Sequence, residues 1–183
     1  MNHTQALETY QPVLHSGTAK FLRLIAWQLM PKWMISSGLP GSSWRIILLK
    51  IFGAKIGRLC RLKPGLNVSC PWNLKLGNFC WLGESVWIDS LACVELGHSV
   101  CISQGSYLCT GNHDYKKPTF DLRLGPISID SEAWIGAKSI LAPSSVIGKG
   151  SVICMGSVVS GLVHPFSIVR GNPAVLVGHR LAP

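Results

Sequence analysis

The chain has 183 residues, of which 48% are apolar and 14% charged, so it can bury one sizeable core and is not disordered. Its 19 Gly and 11 Pro call for many turns and short strands rather than long helices. The net charge is +9, but no helix-turn-helix, zinc-finger or RNA-binding signature accompanies it, so no nucleic-acid partner is expected.

The first residues, Met1 to Val13, are polar and carry no basic-then-apolar signal, and the chain is expected to be cytoplasmic. Every Asp and Glu is either Glu8 or lies from Glu84 onward, while ten bases run from Lys20 to Lys75. Such a block forms a solvated basic surface, or one that meets anionic lipid headgroups or a pyrophosphate-linked substrate. Lys20–Ile35 and Trp44–Phe52 read as short helices with bases flanking Trp, Leu and Ile, interrupted by Pro31 and by the Gly/Ser/Pro stretch Ser36–Ser43. They suit a cap on the following domain, with contact to an anionic membrane surface as an addition. The apolar stretches Leu24–Met30 and Ile46–Leu49 fall well short of the ~20 residues of a spanning helix. Residues 1–55 are therefore set apart as a helical, basic segment packed on the rest.

From residue 56 to 169 the chain repeats. Aliphatics return every six positions at Leu76, Leu82 and Ile88, then, after a two-residue slip, at Leu96, Ile102 and Leu108. They resume at Ile129, Ile135, Leu141, Ile147, Ile153 and Val159. Four positions after ten of these twelve comes a small or β-branched residue: Cys80, Val86, Ala92, Val100, Ser106, Ala133, Ser139, Ser145, Ser151 and Ser157. A period of six scatters residues over all sides of an α-helix, but it keeps them on one side of extended chain. The aliphatic and the small residue therefore point inward, and Gly after the aliphatic (Gly77, Gly83, Gly97, Gly136, Gly148) supplies the bend. Each hexad becomes one short strand and a corner, and coils stack to cover each other's edges. The result is an all-β solenoid of parallel strands. Trp81, Trp87 and Trp134 each precede an inward aliphatic and so point outward, under the N-terminal segment, at an interface or against a ligand.

Leu108 and Ile129 are not separated by a multiple of six, so a loop leaves the solenoid between about 109 and 126. It carries His113, Asp114, Lys116, Lys117 and Asp121, and loops on rigid scaffolds tend to carry function. His is the residue whose ordinary pKa suits a base near neutral pH. The other histidines, His3, His15, His98, His164 and His179, have no such setting. Seven cysteines without CxxC spacing indicate reduced thiols rather than a disulfide framework or zinc site. Residues 170–183 form a C-terminal tail.

The hexads and the "GNPA" of Gly171–Ala174 resemble the left-handed parallel β-helix acyltransferases with hexapeptide repeats. Within these, the chain is similar to the acetyltransferases of colanic-acid and related exopolysaccharide synthesis. The resemblance rests on Ile51–Gly57, "PWNLKLGNFCWLGESVWI" (Pro71–Ile88), "ISQGSYLCTGNHDYKKPTF" (Ile102–Phe120) and "GPISIDSEAWIGA" (Gly125–Ala137). It implies three hexads per coil and a homotrimer with sites between subunits. It also implies transfer of acetyl from acetyl-CoA directly to a sugar hydroxyl of a glycan, with His113 as general base. Asp114 would orient the imidazole or bind a sugar hydroxyl. The positions matching coenzyme A contacts are Ala137, Ala142, Met155, Ser160, Gly161, the stretch Arg170–Pro173, and Arg180. Relatives commonly carry Lys or Arg at the corner where this chain has "VVSGLVHP" (Val158–Pro165), so phosphate contact falls to Arg170, Arg180 or Lys149. No metal is expected, because the close histidine pair of the carbonic anhydrases built on this solenoid is missing. Two other readings stay open: amino-sugar N-acetylation, and an inactive β-helix scaffold or binding protein. Lipid-linked glycans would place the enzyme at the inner face of the plasma membrane.

Overall fold

The computed structural model describes residues 7–10, 18–29 and 31–181. His3 and His15 lie outside them, as does most of the polar start of the chain. Three short helices open the fold: α1 (Thr18–Leu29), α2 (Pro31–Ile35) and α3 (Ser43–Ile51). A proline at the start of α2 costs no hydrogen bond there, which is why the second helix begins at Pro31. The turn between α2 and α3 is tied by Arg45, a fully buried side chain that donates to the carbonyls of Ile35, Ser37, Leu39 and Gly41.

From Lys55 the chain winds into a solenoid with three parallel faces. The first face stacks Ile56, Leu76, Leu96, Ile129, Ile147 and Val163; the second Leu62, Leu82, Ile102, Ile135, Ile153 and Val169; the third Val68, Ile88, Leu108, Leu141 and Val159. All of these are buried and form one continuous core. The repeat thus begins at Ile56, one coil earlier than the row starting at Leu76. The segment set apart as a tail holds Ala174–His179, which returns antiparallel on Ser167–Gly171.

Two expectations about the hexad need correction. Ala92 is half-buried rather than inward, because the first two coils are two residues longer than a run of three hexads. Hydrogen bonds there link residues 20 apart, as in Cys70 to Ser90. The extra residues bulge at the corner before the first face, where Leu74, Val94 and Ile127 supply a second inward aliphatic. Nor does the glycine after the aliphatic make the bend. The left-handed residue is the third after the aliphatic, including Leu59, Phe79, Ser85, Ser99 and Lys138. The glycine answers a different constraint: a Cβ at Gly77 would sit 2.4 Å from the Gly97 carbonyl oxygen of the next coil. The inward small residues also make hydrogen bonds between coils. The Ser106, Ser139 and Ser151 hydroxyls donate to the carbonyls of Gly136, Cys154 and His164, and the Cys60 and Cys80 thiols do the same to Gly77 and Gly97. A buried hydroxyl left without a partner would be costly, so these bonds make a polar row tolerable inside.

Candidate active site

The break in the hexads is a hairpin that leaves the corner between the third and first faces. Gly111–His113 pairs antiparallel with Leu122–Leu124, placing His113 opposite Leu122 and Asn112 opposite Arg123. Its base is closed by Gly125 N–H donating to the Thr110 carbonyl at 2.9 Å, and by the Thr110 hydroxyl, which is bonded to Asp89 O and accepts from Ala92 N–H.

His113 is half-buried, its ring stacked on Phe120 with centroids 4.3 Å apart and planes at 3°. Tyr10 meets the same ring edge-on at 5.6 Å. The decisive contact is from His113 Nδ1 to the Phe120 carbonyl oxygen, 2.8 Å away. A carbonyl oxygen only accepts, so Nδ1 carries the proton and Nε2 of the neutral ring holds a free lone pair. Phe120 aims that carbonyl from a left-handed backbone conformation, φ 50°, which a bulky L-residue rarely adopts.

Asp114 is buried, and the bonds of its carboxylate go to other groups of the hairpin. It pairs with Arg123 and accepts from the Lys116 N–H at 3.2 Å, while the Asp114 N–H donates to Asp121 O. Its partners are hairpin groups. At the tip, Lys117 bonds to Asp121 at 2.9 Å, and the Thr119 hydroxyl together with Lys117 holds the Asp121 carboxyl below its ordinary value. Sequence reasoning named Asp114 but not Arg123 or Phe120. Arg123 could have been found as the one base between Asp121 and Ile129; a carbonyl leaves no signal in a sequence.

The residues matched to coenzyme A fall on separate edges of one protomer. Ala137 and Met155 stack on the corner between the second and third faces, tied by Gly156 N–H to Ala137 O at 2.9 Å. Ala142, Ser160 and Gly161 lie on the corner between the third and first faces, the edge from which the His113 hairpin leaves. Arg180 and Lys149 are on the remaining edge, near Glu132: Arg180 Nη1 donates to Glu132 O at 3.3 Å, and Lys149 pairs with the Glu132 carboxylate at 3.3 Å. Arg170 is exposed at the end of the second face. Beside Ala137 and Met155 runs a groove of about 490 Å³ whose apolar lining includes Trp134, Val152 and Met155. Trp134 is fixed there by its Nε1 donating to Ser103 Oγ at 2.9 Å. The sequence showed that Trp134 points outward but not that it borders a cavity. Arg61 lies over half-exposed Trp81, its guanidinium carbon 4.6 Å from the ring centroid, and Trp87 stacks on Tyr107.

His98 serves the scaffold: its Nδ1 accepts the Asn78 N–H at 2.9 Å in a ladder of side chains down one corner. Among the described residues no three His, Cys, Asp or Glu side chains gather as a metal site.

A hexad solenoid that throws out a histidine-bearing hairpin defines a class, the left-handed β-helix acetyltransferases with hexapeptide repeats. Its solved members share the fold. The acetyltransferase VCA0836 of Vibrio cholerae, complexed with acetyl coenzyme A, superposes with a TM-score of 0.80 over 89% of this chain and 90% of its own at 22% identity. A galactoside acetyltransferase in complex with coenzyme A gives 0.80 over 91% and 84% at 20% identity. No family model matches the sequence. Among curated proteins, the Escherichia coli protein named colanic acid biosynthesis acetyltransferase WcaF is 38% identical over 138 residues, 75% of this chain and 76% of that one. The chain belongs to this hexapeptide-repeat acetyltransferase family.

Proposed function

We propose that the protein transfers an acetyl group from acetyl-CoA to a sugar hydroxyl in glycan synthesis, with His113 as the general base. The observation that carries this reading is the 2.8 Å contact between His113 Nδ1 and the Phe120 carbonyl. It leaves Nε2 free to take the proton of an attacking hydroxyl, and stacking on Phe120 holds the ring for that task. Acetyl-CoA supplies the activated acetyl thioester. His113 takes the hydroxyl proton as the oxygen bonds to the acetyl carbon, and the thiolate of coenzyme A leaves. Asp114, through Arg123 and the Lys116 N–H, holds the hairpin in register and so positions His113.

The groove beside Trp134, with the backbone of Gly136 and Ala137 and the side chains of Val152 and Met155, fits a long arm that is mostly apolar. On the other edge Gly161 is open, with nothing near the place a Cβ would occupy, so a ligand can approach the backbone. The two sets of matched residues lie on different corners of one protomer, and a neighbouring copy would bring one set to the other. This separation supports the reading of a homotrimer with clefts between subunits. The donor and a sugar acceptor are also the ligands that the two acetyltransferase neighbours, one with acetyl coenzyme A and one named for a galactoside, make plausible by kinship.

The test offers acetyl-CoA with free, nucleotide-linked and lipid-linked sugars and reads products by mass spectrometry. A product whose acetyl group is removed by mild alkali is an ester and supports the reading. An alkali-stable acetamide on an amino sugar would move the activity to N-acetylation. A protein that neither binds acetyl-CoA nor transfers acetyl would be a scaffold.

A further inference from the structure

α1 caps the first coil with one side only. Trp27 is fully buried against it, its Nε1 donating to Val68 O at 3.0 Å, and Arg23 lies over Trp72 while donating to Phe52 O. The opposite side carries Phe21, Ile25 and Leu29 at four-residue steps, with Leu22 beside them, all exposed. Trp33 in α2, past the break at Pro31, is exposed as well. Leu29 is 76% and Trp33 82% exposed, among the most exposed large apolar side chains of the protein. A terminal cap is expected to present a polar outer surface. This one is apolar on both sides.

The charge around the stripe selects its partner. Lys32 in α2, Lys50 in α3, and Lys55 and Arg58 on the first coil all belong to this end of the molecule. Among the described residues none of these four bases is in an ion pair. A second copy docking stripe to stripe would bring the same bases together. An anionic bilayer offers both an apolar layer and compensating charge, the combination that interfacial helices use. No described helix is long and apolar enough to cross a membrane. A 12-residue α1, about 18 Å long, would lie in the plane of the interface.

We propose that the α1–α2 face docks the protein on an anionic membrane surface. The inference goes beyond the catalytic reading and does not depend on it. His113 leaves the third coil, so two coil spacings, roughly 10 Å, separate its level from the first coil. The hairpin therefore stays clear of the lipid while remaining near the headgroups.

Flotation of the full chain with vesicles tests the proposal, using phosphatidylcholine alone and phosphatidylcholine containing about a third phosphatidylglycerol. Binding to the anionic vesicles, at least about tenfold weaker on neutral ones and weakened by high salt, is the expected result. Leu29→Ser with Trp33→Ser should lower it about tenfold or more, with circular dichroism and acetyl transfer to a soluble acceptor unchanged. Lys32→Glu with Lys50→Glu should remove the preference for anionic lipid. No binding by the wild type, equal binding to both vesicles, or full binding by the apolar variant would overturn it. So would an apolar variant that changes the oligomer's mass in light scattering while the wild type ignores vesicles, which would assign the stripe to a second copy.

Discussion

Removing the Asp114 carboxylate separates a residue that holds the hairpin from one that takes part in the chemistry. In Asp114→Ala, Arg123 loses its partner and the Lys116 N–H loses its acceptor. The Arg123 side chain is 66% exposed, so solvent screens the pair and its loss costs only about 0.5–1 kcal/mol. The backbone bond adds about 1 kcal/mol. A total of roughly 1–2 kcal/mol lowers the ratio of ordered to disordered hairpin about 5–30-fold, and kcat should fall by up to that factor. The hairpin stands outside the buried rows, so the thermal midpoint should move by no more than about 3 °C. Arg123→Ala removes only the ion pair and should cost about 2–5-fold, and the double variant should be little worse than Asp114→Ala. Initial rates at saturating acetyl-CoA, with melting curves on the same preparations, give both quantities. If Asp114→Ala lost about 10³ in rate while Arg123→Ala stayed near wild type, Asp114 would act on the imidazole or substrate directly and the positioning argument would fail.

Three further outcomes follow from the same geometry. Gly77→Ala puts a methyl group against the Gly97 carbonyl and should destabilise the first coils by several kcal/mol in a denaturant titration, whereas Gly156→Ala, which meets open space but has φ 72°, should cost about 1–2 kcal/mol. Burial pushes the Cys70 and Cys80 thiols from 9.0 up to about 11, so neither should react with a thiol reagent at pH 8 in the folded protein, while half-buried Cys93 and Cys154 should. Because the raised values belong to the folded state, stability should be level below pH 9 and fall between pH 9 and 11, as thiolates form more readily in the unfolded chain. Met155→Trp and Ser160→Trp block opposite edges, and each alone should be inactive. Trimers assembled from an equal mixture should recover about a quarter of the clefts, read as activity, while an intramolecular site would recover none.

The rows of aliphatics were legible because each inward position recurs six residues on, whatever surrounds it. What the period could not place were the coils that depart from it: Ala92 sits in a two-residue bulge, and Leu74 and Val94 occupy the inward positions made there. The role of Gly77 was also hidden, since it depends on the distance to Gly97 in the next coil rather than on local conformation. His113 could be singled out by the interruption of the repeat. Its tautomer could not, because that is set by a carbonyl seven residues away, aimed by the hairpin register and by the left-handed Phe120. Likewise, Ala137, Met155, Ala142, Ser160 and Gly161 form a linear set in sequence, and only the winding of the coils distributes them over two edges.

Acetyl transfer by His113→Ala, measured beside its affinity for acetyl-CoA, tests the central claim most directly. His113 is proposed to move a proton and not to bind the donor, so transfer should fall by about 10²–10⁴ while the donor dissociation constant stays within about twofold. Transfer at the wild-type rate by a folded His113→Ala protein would remove the imidazole from the mechanism and contradict the account.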